Sequence, residues 1–132
     1  MSRKRENVRQ CKAIRQLIDD NKYTKALELI DAIPLEEVGS LDDLYRYAEL
    51  YEKAERMDKK KEIFYHIYHR THSRYMLNRL LRLTIRMGDM EEARELYFAY
   101  EVAGPITLDT FELRYLLAKA EGEPPERLIQ IL

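Results

Sequence analysis

The chain predicts an all-α fold of about four stacked antiparallel helix pairs, and three observations carry that prediction. Apolar residues recur at helical spacing along almost the whole length. Only 4 Gly and 4 Pro occur among 132 residues, and 36% of residues are charged, well above the usual level of about 25%. That balance suits long helices with solvated outer faces. The residues that interrupt the helical pattern also return at a fixed interval, because Asn21, Glu55, Gly88 and Gly122 are separated by 34, 33 and 34 positions.

Interruptions at residues 20–22, 34–40, 56–58, 71–72, 88–89, 104–105 and 122–125 leave eight helices, over residues 7–19, 23–33, 41–55, 58–70, 73–87, 90–102, 107–121 and 125–132. The first follows a basic stretch that reads as a flexible tail and carries Gln10-x2-Ala13-Ile14-x2-Leu17 as its apolar face. The second sets Ala26 four residues before Ile30. Ser40 with Asp43 gives the third helix capping-box spacing ahead of Leu44-x2-Tyr47-Ala48-x2-Tyr51, and the fourth sets Lys60 four before Phe64. The fifth carries Leu77-x2-Leu80-Leu81-x2-Thr84. The sixth opens on Asp89 with Glu92 and sets Ala93 four before Tyr97. In the seventh, Arg114 stands where an apolar residue is expected, and the eighth has Pro125 in its first turn and Arg127 four before Ile131. Short connections make neighbouring helices antiparallel.

These patterns resemble the tetratricopeptide repeat (TPR) family. A period near 34 residues is the TPR length. The stretch from Gly88 through Asp89, Ala93 and Tyr97 to Pro105 is the strongest single match, and the likeness spans roughly residues 7 to 132. The resemblance implies one TPR-like domain over residues 1–132, a right-handed α-solenoid with repeats near residues 7–38, 40–72, 73–105 and 107–132. It is similar to TPR segments of large bacterial proteins with no assigned activity. In such a repeat a small residue sits where the paired helices cross most closely. Ala26 and Ala93 fit that slot, whereas Lys60 and Arg127 depart from it and imply looser packing, with the long side chain reaching out to water. The eighth helix ends at Leu132 within an apolar run, so a longer chain is the expectation.

Composition narrows the function. A formal net charge of -1 argues against whole-chain binding of nucleic acid or membrane. No apolar run is long enough to span a bilayer or to act as a signal core, and the single Cys11 forms no internal disulfide, which makes the cytoplasm the default location. No phosphate loop, nucleophile elbow or catalytic His arrangement occurs, and the paired acids, among them Asp42 with Asp43 and Glu91 with Glu92, read as caps and solvated turns. The expectation is a non-enzyme with no cofactor. His66, His69 and His72, with Glu62 nearby, are the one metal-like grouping, but on a helix His66 and His72 diverge by about 120°, so no metal site is expected. Tyr47, Tyr51, Phe64, Tyr68, Tyr97, Tyr100, Phe111 and Tyr115 read as core, and Tyr45 and Tyr75 as exposed.

The leading functional reading is a non-catalytic scaffold that binds a protein or peptide in a concave groove lined by the first helix of each pair, as the resemblance implies. Counting from the aligned turns places Cys11, Arg15, Tyr45, Glu49, Lys53, Asn78, Arg82, Arg86, Glu112 and Leu116 on that face, and the residues expected to touch a partner are Arg15, Tyr45, Glu49, Lys53, Asn78, Arg82, Arg86 and Glu112. Asn78, Arg82 and Arg86 are four residues apart, so their donors can converge on a carboxylate. They resemble half of the carboxylate clamp of some TPR proteins; the other half is replaced by Cys11, Arg15, Tyr45 and Glu49. The expected partner is therefore an acidic or mixed-charge segment, against the competing possibility that the arginines pair internally with Glu49 or Glu112. The runner-up reading binds RNA or an anionic surface through Arg3, Lys4, Arg5, Arg9, Lys12 and Arg15 at the N-terminus and the arginines of the third repeat.

Overall fold

A computed structural model describes residues 2–123, with side chains from residue 5 onward. Among the described residues the chain is all-α and contains no strand. Its helices are α1 (Ser2–Asp19), α2 (Tyr23–Ala32), α3 (Leu41–Lys53), α4 (Met57–Thr71), α5 (Arg74–Met87), α6 (Met90–Val102) and α7 (Leu108–Ala120). The expected eighth helix over residues 125–132, with Pro125, Arg127 and Ile131, lies outside the described residues. Two differences from expectation occur. The helix α1 begins at Ser2, because Arg3, Lys4, Arg5 and Glu6 are all good helix formers and nothing among them breaks the backbone pattern. The connection at 34–40 contains a short 3₁₀ turn, Leu35–Glu37, anchored between buried Ile33 and Val38.

The helices form two compact units, residues 1–67 and 68–132. In the first, α1 packs on α2 and α2 on α3, with Ile14, Ala26, Ile30, Leu44 and Tyr47 almost wholly excluded from solvent. In the second, α5 packs on α6, and α7 packs on both, around Met76, Leu80, Leu81, Ala93 and Leu113.

The recurring interruption seen in the sequence is a recurring piece of backbone. Asn21, Glu55, Gly88 and Gly122 all have positive φ, at 59°, 60°, 84° and 85°. In each case the amide of the next residue reaches back five positions: Lys22 to Leu17, Arg56 to Tyr51, Asp89 to Thr84 and Glu123 to Ala118, at 2.8, 2.8, 3.3 and 3.1 Å. The positive-φ residue itself donates three positions back, to Ile18, Glu52, Ile85 and Lys119. Together these two bonds are the Schellman termination, which satisfies carbonyls that a helix end leaves open. Four helices therefore stop by the same device.

Start signals are equally local. Asp43 N–H donates to Ser40 Oγ and Glu92 N–H to Asp89 Oδ1, each at 3.3 Å. Ser73 caps α5 in the same way through the Met76 amide, and at α7 the Thr107 amide donates to Thr110 Oγ1 at 3.0 Å. Ala26 and Ala93 are fully buried. Lys60, four residues before Phe64 on α4, has its side chain 8% exposed, its ammonium 2.9 Å from Glu52 Oε1 and 5.3 Å from the centre of the Phe64 ring. The side chain does not reach out to water as expected: it is buried, and its charge is met by a carboxylate.

Candidate functional site

In the first unit, Cys11 and Arg15 stand one turn apart on α1, as do Asp43 and Tyr47 on α3. Arg15 Nε lies 3.2 Å from Asp43 Oδ1, and the Asp43 side chain is 4% exposed. Asp43 is therefore a buried member of an ion pair and not a solvated turn acid, because the step from the Ser40 cap aims it across at α1. Cys11, expected on the groove face, is buried at 6% exposure. Beside it the Tyr47 hydroxyl is buried without a well-aligned hydrogen-bond partner among the described residues. Burial above all, then the Cys11 thiol and the Asp43 charge, push Tyr47 far above the ordinary tyrosine range, with Arg15 opposing. Tyr45 is half-buried and Glu49 exposed. Lys53 places its ammonium 5.3 Å from the Tyr23 ring centre. The candidate residues of this unit are thus largely engaged with their own neighbours.

In the second unit, Asn78, Arg82 and Glu112 come together. Arg82 Nε donates to Asn78 Oδ1 at 2.6 Å, and Arg82 Nη1 to Glu112 Oε1 at 2.9 Å. The Arg82 hydrogen bond and charge lower the Glu112 carboxyl below its usual range. The guanidinium that was to receive an incoming carboxylate already holds one from α7. Asn78 accepts through Oδ1 and orients Arg82, which leaves its Nδ2 amide as the donor it could offer a ligand. Arg86 is exposed near the end of α5.

Three further polar groupings had only weak sequence signals. Asp31 on α2 accepts from the Tyr51 hydroxyl and, at 2.9 Å, from Arg56 Nη1, while the Arg56 guanidinium lies 5.2 Å from the Tyr51 ring. Arg114, the residue that broke the apolar pattern of α7, donates to the Tyr97 hydroxyl and lies 3.7 Å from Glu101. These three line an open cavity of about 460 Å³ together with Leu117, Glu121 and Glu123. Arg74 donates through Nε to the Tyr100 carbonyl at 3.0 Å and stacks 4.0 Å from the Tyr100 ring. Of the eight aromatic residues read as core, Tyr47, Tyr51, Phe64 and Tyr100 are buried, whereas Tyr68, Tyr97, Phe111 and Tyr115 are half-buried. Tyr68 is flanked by His69 and His72 with ring centres 5.8 and 6.0 Å away.

Among the described residues no three His, Cys, Asp or Glu side chains gather in a way that holds a metal ion, and no helix is long and apolar enough to cross a membrane. Searches for likeness return nothing: no protein-family model matches the chain, no curated protein matches it, and no solved structure matches it.

Proposed function

We propose that the chain is a non-catalytic protein- or peptide-binding scaffold, built as a TPR-like α-solenoid. The observation that carries this reading is the fourfold return of one helix termination at intervals of 34, 33 and 34 residues. A repeat of that length buries each helix pair against the next and leaves extended helix faces outward, and such arrays act by binding. A face that includes Asn78 and Arg82 belongs to this reading as a latent site for an acidic segment, with Glu112 holding the place of the incoming carboxylate. The site is then competitive: an acidic peptide binds by displacing Glu112 from Arg82.

The test is a pull-down from the native cell extract with three forms of the protein. Partners of the groove are lost with Arg82→Ala plus Arg86→Ala and enriched with Glu112→Ala, which frees Arg82. Partners indifferent to both changes refute the groove. A protein that captures nothing in any form refutes the scaffold. One observation favours the second reading, an anionic surface or RNA: Arg5, Arg9 and Lys12 share one exposed face of α1. Binding through that face falls steeply with added salt, whereas groove binding falls modestly.

A further inference from the structure

The helix α6 turns an ordered stripe outward. Glu91, Glu95, Phe98 and Val102 follow one another at steps of four, three and four, which places them on one helical face. All four are exposed, Phe98 and Val102 each at 68%. The apolar end of the stripe continues into the connection to α7, where Ile106 is 61% and Leu108 87% exposed. Single exposed apolar residues are ordinary, but these four large ones fall within one short stretch at one end of one hairpin and present on the order of 400 Å² of apolar surface, the size of the largest patch on an ordinary monomer, which often is functional.

This surface is held in place. The Arg74 guanidinium stacks on Tyr100 and binds its carbonyl near the end of α6, and the chain at Gly104 passes so close that an added Cβ would stand 2.7 Å from Arg74 Nη1. The start of the connection that carries Ile106 and Leu108 is thus packed against Arg74, and packing that holds a surface in place lowers the entropic cost of docking.

Its charge selects the partner. Glu91 and Glu95 lead into the apolar patch and Asp109 borders it in the first turn of α7; none of the three is in an ion pair among the described residues. Glu101, also at its edge, is 3.7 Å from Arg114. The complement is a helix with apolar side chains over Phe98, Val102, Ile106 and Leu108 and with Lys or Arg about 10 Å further along, over Glu91 and Glu95. A second copy fits less well. Its own α6 offers Arg94 as a cation near this face, and that is already paired with Glu121, so two copies meeting through α6 bring no free basic group of that helix to Glu91 and Glu95. Its basic α1 face offers Val8 as the one large exposed apolar side chain among the described residues, too little to cover the patch.

We propose that the outward face of α6, with the connection to α7, docks a basic amphipathic helix of a partner protein. The proposal rests on the scaffold reading and adds to it where such a partner sits and what it is made of. The experiment is fluorescence anisotropy with a labelled synthetic Leu/Lys amphipathic helix, beside a Leu/Glu helix of the same apolar pattern. The Leu/Lys helix binds and the Leu/Glu helix does not. Phe98→Asp with Val102→Asp weakens binding about tenfold or more, and Glu91→Lys with Glu95→Lys reverses the preference between the two helices. Reversal of Glu28 and Glu36, exposed carboxylates of the first unit, leaves binding unchanged. Equal loss in that control, or retention in both α6 variants, overturns the proposal. So does a concentration-dependent mass in light scattering that Phe98→Asp abolishes, which would assign the face to a second copy. Extract partners that survive the α6 changes would sink this docking surface while leaving the scaffold standing.

Discussion

Glu55 stands at φ 60° in the same turn position that Gly88 occupies at φ 84°, so the repeat contains its own control for the energy of a left-handed residue. A side chain in that region costs about 1–2 kcal/mol from the clash of Cβ with the following carbonyl. Glycine escapes the clash but loses roughly 0.5–1 kcal/mol more backbone entropy on folding. The difference is a net effect of about 0.5–1 kcal/mol. Glu55→Gly is therefore expected to stabilise the protein by that amount, since the Glu55 side chain is exposed and makes no ion pair among the described residues. Gly88→Ala is expected to destabilise it by the same amount, because a Cβ there meets nothing within 4 Å and only the backbone term remains. Each change corresponds to a shift of roughly 2–5 °C in Tm. Thermal and urea unfolding followed by circular dichroism measure both, and an unchanged urea slope shows that the shift in midpoint is a change in stability and not in the surface exposed on unfolding. The two positions share no partner, so the double variant returns close to the parent. A Glu55→Gly protein that melts lower, or a Gly88→Ala protein that melts no lower than the parent, would refute the account of these turns.

Three further outcomes are expected. Glu52→Ala leaves the Lys60 ammonium without its carboxylate on a side chain that is 8% exposed, at a cost of about 1–3 kcal/mol. Lys60→Met keeps the stem and removes the charge, so urea unfolding should place it within about 1 kcal/mol of the parent or above it; a larger loss would show that the ion pair itself stabilises the slot. Asp31 is held below its usual value by the Tyr51 hydroxyl first and then by Arg56. A depressed folded-state carboxyl contributes stability that is present above the unfolded value, about 3.9, and is lost as pH falls through the lower folded value. Stability measured against pH should therefore fall less steeply below about pH 4 in Asp31→Asn, and an unaltered acid limb would remove Asp31 from the set of responsible groups.

What the sequence by itself determined is what the backbone settles within a few residues. The helix ends at Asn21, Glu55, Gly88 and Gly122 depend on bonds that span six residues, and the caps at Ser40 and Asp89 on bonds that span four; each is written in a short window and was legible there. Helix bounds from α2 to α7 follow for the same reason, as does the burial of Ala26 and Ala93 at equivalent positions of their pairs. The tertiary structure decided where the charged side chains go. The sequence offered Glu49 and Glu112 as internal partners for the third-repeat arginines without choosing between them and an outside carboxylate; packing chose Glu112 for Arg82, and nothing near Arg15 announces that it will reach Asp43 and draw it out of solvent. A long cationic side chain can satisfy itself with any carboxylate that packing brings within reach, and packing is a sum over distant residues. The outward stripe of α6 has the same origin. The spacing of Glu91, Glu95, Phe98 and Val102 was present in the sequence, but helical periodicity alone does not say which face a helix buries. That was decided when α5 and α7 closed over Ala93, Leu96 and Tyr100 and left the other face to water.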